Sequence, residues 1–566
     1  MAWLIACLWF PLTDTDIWWH LAAARRMWET RSFLRADPFC LASMGAPWTD
    51  LHWGFQLLAY SAWKLGGAWA LVAGKCLAVA VALALAFAPH VRLRVLYAWI
   101  PLAAFGIYHV RFFIDVRPLA LTLCGLGALY AVTTLNLRGR IRRPWLILIP
   151  VQIILVNLQG LYPLGAFLVT CLCAGEYAGR RWPAWFAREG DGVGEEVGVG
   201  VVGNAPVPLR PLAITCGALW LCGFVSPYGW DGFALPFSLF GRITPTAANI
   251  FSSEIAENLP LSDLFHRDPA GVLPFLILLG FTAATFAYAK RPSLGHALLF
   301  LAFALLGYMA QRNLPLSLLA ALMAAGHNLE VHSLGRKHRG ADADRDDVSE
   351  PWLGPTALLG LAAIAFLYGP RIREAWRYEL PGSLETPFRF PAPAADYLEA
   401  HPLTGNIFNE LRYGGYLEFR FPGKPAFIDG RMILRSADSY REFLAAVDEP
   451  ARFPEYRARY AFTHAVLPIA EDQRFLPLAA YLLRESGWSV LHCDGASVVL
   501  ADSSTVSAAG ATALALDSLP EGHPLRNALQ ARFGSNPRLH AMATRNAALF
   551  LHAAGRERAA EDLGVP

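Results

Sequence analysis

Charged side chains are scarce in this sequence. Asp, Glu, Lys and Arg together make up 16% of the 566 residues, whereas hydrophobic residues make up 55%. That balance is too apolar for an ordinary soluble enzyme, and the chain is too long for a single membrane span. Basic runs interleaved with aromatic residues are also missing, so nucleic acid is not an expected partner. The composition therefore predicts a polytopic membrane protein.

Cysteines at metal-ligand spacing are lacking as well. Cys171 and Cys173 stand in mid-span at the wrong spacing for zinc, so we interpret them as lipid-buried packing. Among the nine cysteines only Cys40 and Cys493 fall in long polar regions, and the sequence leaves open whether they form a disulfide. A cleavable signal peptide is not expected either, because the first apolar segment has no small-residue cleavage site.

Long apolar segments are what the sequence does contain. A transmembrane helix needs about 20 predominantly apolar residues. The segments that hydropathy indicates lie near residues 1–12, 68–88, 95–110, 118–136, 145–157, 161–176, 211–226, 272–289, 294–310, 313–327 and 353–369. We therefore expect about eleven transmembrane helices within residues 1–369, of which several are short for a span.

The distribution of basic residues predicts the orientation. With the N-terminus inside, the inner loops hold most of the Arg and Lys residues, and the short outer loops hold mainly Arg111, Arg117 and Arg312. The inner side then includes the Gly-rich run 189–204 and the tract 336–350, both typical of flexible, solvated loops. The Gly-rich run lacks the Lys-Ser/Thr ending of a phosphate-binding loop, so we assign it no nucleotide.

The composition changes after the last span, at about Pro370. Strand-like runs at 405–409, 425–431 and 464–470 alternate with helical runs, and a hairpin follows. This alternation predicts an extracytoplasmic α/β domain, and the Ala-rich end of the chain predicts a helical tail. The expected boundaries are 370–502 for the domain and 503–566 for the tail. Asp429 and Arg431, which end the second strand-like run, either touch substrate or form a salt bridge in a turn.

The first outer loop, 13–67, carries the motif TDTDIWWH. Two Trp-rich, partly charged helices are expected in this loop, over 17–29 and 51–65, and such helices lie in the membrane interface. Within the motif, Asp14, Asp16 and His20 are the candidate catalytic residues, because a polar cluster at the membrane surface usually has a function. His20 would stand one helical turn after Asp16, on the same face.

Helix capping is the alternative for these carboxylates. Asp commonly accepts a hydrogen bond from the first backbone N–H groups of a helix. Asp14 or Asp16 would then only cap the helix that follows, a role that is compatible with chemistry. For Asp50, which precedes the second expected helix, capping is the preferred interpretation.

Further polar groups gather on the outer side of the spans. The candidates for substrate binding are His52, Lys75, Arg111, Arg117, Glu254, Arg312 and Asn313. Fixed positive charge near the interface suits a lipid phosphate, which favours Lys75, Arg117 and Arg312 as its ligands. In the alternative interpretation, Lys75 and Arg312 would instead snorkel towards the membrane surface. For the segment around Arg111 and Arg117, the alternative is a salt bridge between Asp115 and one of these arginines.

These motifs resemble those of a known group of proteins. They are DTDIWWHLAAARR, DPFCLASMGAPWTDLHWGFQLLAYSAWKLGG, RP at 117–118, SPYGW at 226–230, QRN at 311–313 and GNIFNELRYGGYLEFRFPGKPAFIDGR. Together they look like a group of bacterial multi-spanning proteins that is similar to the GT-C superfamily of membrane glycosyltransferases. The resemblance covers the chain up to about residue 502. It implies a transmembrane helical fold in the bacterial cytoplasmic membrane.

The resemblance also implies a reaction and roles for the first motif. The donor would be a sugar on a polyprenyl phosphate, and the acceptor would be a glycan, lipid or protein on the extracytoplasmic side. Asp14 or Asp16 would accept the proton of the acceptor hydroxyl or bind a divalent cation such as Mg²⁺ or Mn²⁺, because these ions prefer oxygen ligands. His20 would support either role. The sequence leaves open the metal, the sugar and the acceptor.

Two other functions compete with sugar transfer. A flippase or transporter for a lipid-linked glycan predicts charged groups through the middle of the membrane and internal repeats, and neither is clear in the sequence. A non-catalytic assembly protein would bind cell-envelope partners through its α/β domain. Substitutions at Asp14 and Asp16 separate these functions from a transferase.

Overall fold

The protein forms two compact units, each described here by itself. The computed structural model describes residues 1–90, 93–189, 208–243, 249–289, 291–337, 353–379, 384–470, 473–484 and 487–564. Unit 1 consists of Met1–Trp9, Asp50–Phe55 and Leu71–Ile372, and unit 2 of Phe10–Thr49, Gln56–Ala70 and Arg373–Pro566. Most of the two predicted flexible loops, 189–204 and 336–350, lies outside the described residues.

Unit 1 is built mainly of apolar helices. Helices satisfy every backbone polar group within the segment, as a lipid environment requires. The helices of this unit, some of which extend beyond its boundaries, are Ala2–Leu8, Trp53–Phe87, Leu93–Val110, Pro118–Leu137, Trp145–Leu158, Pro163–Arg181, Leu209–Leu221, Gly229–Ile243, Ile250–Ser253, Leu261–Arg267, Pro269–Tyr288, Leu294–Met309, Leu314–Lys337 and Leu353–Trp376. Several are joined by short 3₁₀ helices, among them Arg111–Phe113, Ala256–Asn258 and Gln311–Asn313.

Each of the eleven predicted apolar segments coincides with a helix, and these helices differ in length. Six of the described helices are long and apolar enough to cross a membrane, or seven if the pair Leu209–Phe224 and Gly229–Leu239, bent by 101°, forms one span. Ala2–Leu8 is only about 10 Å long at 1.5 Å per residue. The multi-helix membrane fold is therefore confirmed, and the count of eleven spans stays a prediction.

The two helices expected in the first outer loop are both helical, but their extents differ from the prediction. Asp16–Thr30 has nine buried residues out of 15. The run expected to end at Leu65 continues into the next apolar segment as a single element, Trp53–Phe87, which is broken at Gly66 and Gly67. Gly67 has φ of 56°, in the left-handed region that favours glycine, so the break falls where the backbone is free to make it.

Unit 2 contains a four-stranded sheet. Its strands are β1 Asn406–Asn409, β2 Phe462–Pro468, β3 Trp488–Cys493 and β4 Ser497–Asp502. The order across the sheet is β1-β2-β4-β3, with β1 parallel to β2 and the other pairs antiparallel. The predicted closing hairpin is β3 and β4, joined through Asp494 and Gly495, whose φ of 79° suits a tight turn.

Helices surround this sheet and make up the C-terminal tail. The helices of unit 2 are Asp16–Thr30, Ala392–Ala400, Leu411–Arg420, Ala437–Asp448, Phe453–Tyr460, Leu476–Arg484, Ser503–Ala509, Pro524–Phe533, Pro537–Ala553 and Glu557–Asp562. Asp16–Thr30 packs against Leu411–Arg420, so two segments about 400 residues apart in sequence share one core.

The strand predicted over 425–431 is wrong. The structure places only one isolated bridge there, between Cys40 and Ala426. The side-chain amide of Asn409 takes the place of a neighbouring strand: its Nδ2 donates to the Ile428 carbonyl at 2.8 Å, and its Oδ1 accepts from Phe427 N at 2.8 Å. Because side-chain pairing of this kind leaves no periodic pattern, alternation of residues could not predict it.

Gly414 tests this packing. An alanine Cβ at position 414 would lie 1.9 Å from the Ile428 carbonyl oxygen, a backbone atom that cannot swing away. We expect Gly414→Ala to destabilise unit 2 by about 1–3 kcal/mol, which is several degrees of melting temperature for the full-length protein in detergent. Gly369→Ala is the control, because Gly369 is also in a helix but has nothing within 4 Å of its Cβ position. Equal melting temperatures for the two variants would contradict the predicted clash.

Candidate active site

Asp16 begins the helix Asp16–Thr30 and is partly exposed. Asp14 is buried, and its Oδ1 accepts a hydrogen bond from Asp16 N at 3.0 Å. The N-cap of the helix is Thr15, with no side-chain cap hydrogen bond, so Asp14 orders the turn before the helix without capping it. His20 is buried one turn further on, with its ring centroid 3.6 Å from that of Trp19. The motif thus places one accessible carboxylate between two buried polar groups.

Two glycines in the C-terminal part of unit 2 let the backbone there lie close to this motif. A Cβ on Gly415 would lie 2.9 Å from Trp19 N, so the helix Leu411–Arg420 touches the backbone of the motif. A Cβ on Gly430 would lie 2.3 Å from Asp16 Oδ1. The two motifs that carry the family resemblance most specifically, the first and the last, therefore meet at Asp16.

A buried network of charged side chains lies next to Gly430. Arg431 Nη1 is 2.8 Å from Asp37 Oδ1, and Arg431 Nε also pairs with Asp429. Arg435 Nη2 is 2.9 Å from Asp429 Oδ1, and Cys40 Sγ donates to Glu418 Oε1 at 3.0 Å. Asp37 and Cys40 come from the N-terminal loop, and the other members come from residues 418–435. The network therefore joins the two parts of unit 2.

Aromatic rings surround the central arginine of this network. The Arg431 guanidinium carbon lies 4.6 Å from the ring centroid of Trp48, 5.1 Å from that of Phe39 and 6.0 Å from that of Trp19. Guanidinium groups are attracted to aromatic faces, and the attraction grows when water is excluded. Arg431 is thus fixed by both anions and rings, beside the helix that carries Asp16.

Glu418 is the third buried carboxylate of this network. Arg431 and Arg435 face the carboxylates of Asp37 and Asp429, and Arg431 Nη2 is also 3.5 Å from Glu418 Oε1. Burial acts to raise the pKa of Asp429, but the two arginines outweigh it and hold that pKa below its usual range. Burial, reinforced by the charge of Asp429, raises the pKa of Glu418 well above its usual range. Glu418 therefore keeps its proton.

The protonated state of Glu418 makes stability depend on pH. The unfolded state releases this proton above about pH 4.3, whereas the folded state holds it, so stability falls as pH rises from there towards the folded pKa. The slope from this group is about 1.4 kcal/mol per pH unit. Glu418→Gln removes this pH dependence. We therefore expect the melting temperature of the variant to rise relative to that of the wild type between pH 5 and pH 8. Parallel melting curves across that range would contradict a neutral Glu418.

Two open questions from the sequence are answered in unit 2. Asp429 and Arg431 are buried and paired with each other, so the salt-bridge alternative holds for them rather than substrate contact. Cys40 and Cys493 are both buried free thiols and form no disulfide. Burial raises the pKa of each thiol, so neither is a reactive thiolate.

The basic candidates of unit 1 lie on short elements that touch one another. The 3₁₀ helix Gln311–Asn313, which carries Arg312 and Asn313, contacts both Arg111–Phe113 and Ala256–Asn258. Arg117 Nη1 is 2.5 Å from Glu257 Oε2, and both side chains are partly exposed. Glu254 is exposed just before this segment. Arg111, Arg117, Glu254, Arg312 and Asn313 are thus brought to neighbouring positions.

Lys75 and His52 occupy other surroundings. Lys75 is buried with its Nζ 3.7 Å from Asp115 Oδ1, so it meets an anion instead of snorkelling. Asp115 therefore pairs with a lysine. His52 is the N-cap of the helix Trp53–Phe87, with no side-chain cap hydrogen bond, and its backbone N–H donates to Asp50 Oδ1 at 3.1 Å, so Asp50 orders the turn before the helix instead of capping it.

Two groups of three side chains among the described residues have the spacing of metal ligands. One is Cys40, Glu418 and Asp429, which belongs to the buried network with Arg431 and Arg435. The other, in unit 1, is Glu189, His296 and His327. Asp14 and Asp16 belong to neither group, so the Mg²⁺ or Mn²⁺ site expected there stays a prediction.

Comparisons with known proteins find similarity among solved structures. No family model matches the chain, and no curated protein matches it. Among solved structures, the chain is similar to the archaeal oligosaccharyltransferase AglB from Archaeoglobus fulgidus, solved in complex with an inhibitory peptide and a dolichol phosphate. The match covers 85% of this chain and 69% of that one, with 12% identity and a TM-score of 0.47. Both values are low, so the function is inferred below from the residues of this chain.

The candidates divide between the two units. Asp14, Asp16 and His20 belong to unit 2, and all seven substrate-binding candidates belong to unit 1. Asp37, Cys40, Glu418 and Arg435 were not among the predicted site residues. The signal that could have found three of them is their position inside motifs of the resemblance, Asp37 and Cys40 in the second and Glu418 in the last, where a buried charge demands a partner. Arg435 lies outside these motifs.

Proposed function

We propose that this protein is a membrane glycosyltransferase. It transfers a sugar from a polyprenyl-phosphate donor to an acceptor on the extracytoplasmic side of a bacterial cytoplasmic membrane. The observation that carries the proposal is the position of Asp16, a partly exposed carboxylate held by the N-terminal motif and touched by Gly430 of the C-terminal motif. An accessible carboxylate on a rigid support is the group that a hydroxyl acceptor needs as its base.

The chemistry assigned to Asp16 is proton abstraction. Its carboxylate takes the proton of the acceptor hydroxyl while that oxygen attacks the anomeric carbon of the donor. The bond between that carbon and the phosphate oxygen breaks, and the polyprenyl phosphate leaves with the electron pair. Positive charge lowers the energy of this leaving group.

Asp14 and His20 act through Asp16 in this proposal. Asp14 fixes the turn by accepting a hydrogen bond from the backbone N–H of Asp16. His20 lies one helical turn after Asp16, on the same face of the helix. Where a divalent cation takes part, the carboxylates of Asp14 and Asp16 would hold it, since hard cations prefer oxygen ligands, and it would neutralise phosphate charge. The steps above use only the side chains of the chain itself.

The experiment that tests the proposal follows the sugar. Purified protein is reconstituted in vesicles that contain polyprenyl-phosphate hexoses or pentoses with a labelled sugar, and membrane extract supplies the acceptors. A transferase moves the label off the polyprenyl lipid onto an acceptor. A flippase moves the labelled lipid across the bilayer uncleaved, and an assembly protein does neither. Label that stays on the polyprenyl lipid for every donor in the panel would contradict the proposal.

Arg117 and Arg312 are expected to affect binding of the donor. Removing one cationic contact to a phosphate weakens binding by about 1.4 kcal/mol, or about tenfold. We therefore expect Arg117→Gln and Arg312→Gln to raise KM for the lipid donor about tenfold in the same assay. Arg267→Gln is the control, because Arg267 is exposed at the end of the helix Leu261–Arg267. An unchanged KM for the donor in both variants would contradict the assignment of Arg117 and Arg312 to donor binding.

A further inference from the structure

A second cluster of buried polar side chains lies within unit 1. It is separate from the groups that the proposed transfer uses. Its members are His90, Tyr130, Arg138, Glu189, His296, His327 and Glu330. They stand at or near the ends of helices whose flanking loops hold the excess of Arg and Lys, the side that the positive-inside rule assigns to the cytoplasm.

Three members of this cluster have metal-ligand atoms that face one another. Glu189 Oε1 is 3.4 Å from His327 Nδ1, and Glu189 Oε2 is 3.8 Å from His296 Nδ1. With metal–ligand distances of about 2.0–2.1 Å, tetrahedral zinc has ligand atoms about 3.3 Å apart. The two imidazole rings are stacked with centroids 3.9 Å apart, so an ion bound to both nitrogens requires the rings to turn out of the stack.

His327 supplies an independent observation. Its side chain is buried, and neither ring nitrogen has a hydrogen-bond partner among the described residues. Its Nδ1 forms an ion pair with Glu189 Oε1 at 3.4 Å without a hydrogen bond. A buried imidazole without hydrogen bonds loses the free energy of those it made in water, and a metal ion at Glu189 would replace this ion pair by a bond to one nitrogen.

The other histidine of the group is held at both ring nitrogens. His296 Nδ1 lies 3.0 Å from Ser293 Oγ, a contact that a bound ion would replace. His296 Nε2 is 3.0 Å from the Tyr130 hydroxyl, and that hydroxyl is also 2.7 Å from His90 Nε2. His90 Nδ1 in turn lies 2.7 Å from Glu330 Oε2. Ligating histidines characteristically hydrogen-bond through their second nitrogen to a fixed polar group, which sets ring orientation.

The charges around Glu189 leave room for a cation. Arg138 Nη2 lies 3.1 Å from Glu189 Oε1 and 2.9 Å from Glu330 Oε2, so one arginine is shared by two carboxylates. The neighbouring Glu176 has its own arginines, Arg180 and Arg188. A bound cation would add a second counter-charge for Glu189 beside the shared Arg138.

We propose that Glu189, His296 and His327 form a binding site for a divalent first-row transition metal ion, of the chemistry of Zn²⁺. Two imidazoles and one carboxylate are a donor set that zinc accepts, with a fourth position for water. The ion would join the segment after Pro163–Arg181 to the helices Leu294–Met309 and Leu314–Lys337. The site does not depend on the proposed transferase activity.

Zinc binding to the full-length protein tests this site. The protein is purified without a histidine tag, treated with a chelator and dialysed against Zn²⁺, and bound metal is measured by mass spectrometry. We expect about one equivalent in the wild type, and binding at least about 100-fold weaker in His296→Gln and His327→Gln, since even outer partners of ligands contribute 10–100-fold. His109→Gln is the control, because His109 lies outside the cluster.

A spectroscopic measurement keeps the proposal testable if a variant does not fold. Co²⁺ added to the wild type should give the visible absorption of a tetrahedral site with nitrogen and oxygen ligands, and Zn²⁺ should abolish it by displacement. Wild-type protein that binds no Zn²⁺ and shows no such spectrum would overturn the proposal. Binding that persists unchanged in both folded histidine variants would overturn it as well, because the metal would then lie elsewhere.

Discussion

Arg431→Met should destabilise unit 2 by about 3–5 kcal/mol. Breaking one partner of a buried ion pair leaves the other charge buried without compensation, which costs more than the pair itself contributes. Arg431 pairs with three carboxylates, those of Asp37, Asp429 and Glu418, and Arg435 pairs with Asp429. Methionine keeps most of the length of the side chain. The loss of stability therefore comes from removing the charge and not from removing volume. Thermal unfolding and hydrogen exchange of the full-length protein in detergent measure it, with lost protection over residues 411–435.

Arg441→Met is the matched control for this prediction. Arg441 pairs with Asp438 three residues earlier, and both side chains are exposed. Pairs of this kind contribute between 0 and about 1 kcal/mol, so the control should melt within a degree or two of the wild type. A similar, small effect of both substitutions would show that the buried network does not hold the two parts of unit 2 together.

Much of the helical fold could be predicted from the sequence, because hydropathy reports burial in lipid directly. All eleven apolar segments coincide with helices, and Asp16–Thr30 and Leu411–Arg420 were also found. The lengths of the helices were predicted less well. The ends of Ala2–Leu8 and of the broken helix Trp53–Phe87 depend on turns and glycines, which hydropathy does not report. The error at 425–431 has a different cause, because one side chain, Asn409, replaces a strand partner.

The candidate site could be predicted only in part. The motif with Asp14, Asp16 and His20 stood out because carboxylates next to an apolar segment are costly without a purpose. The partners of Arg431 could not be found in this way, because Asp37 lies 394 residues earlier and nothing local links the two. Long-range ion pairs are fixed by the tertiary fold, so a single sequence shows only that the charges need partners.

Asp16→Asn should lower the rate of sugar transfer by about 10²–10⁴-fold. General-base catalysis contributes this much, and asparagine keeps the shape of the side chain but cannot accept the proton. The carboxylate is at the helix start and only partly exposed, so the substitution changes little in packing. KM for the donor should stay close to that of the wild type, because the groups assigned to the lipid phosphate are intact.

The most direct test is the single-turnover rate of label transfer from polyprenyl-phosphate sugar in vesicles, compared between Asp16→Asn and Asp438→Asn. Asp438 is also an aspartate in the first turn of a helix of unit 2, but it is exposed and lies outside both motifs. We predict a near-complete loss of transfer for Asp16→Asn and a wild-type rate for Asp438→Asn. Transfer by Asp16→Asn at the wild-type rate would contradict the assignment of Asp16 as the base.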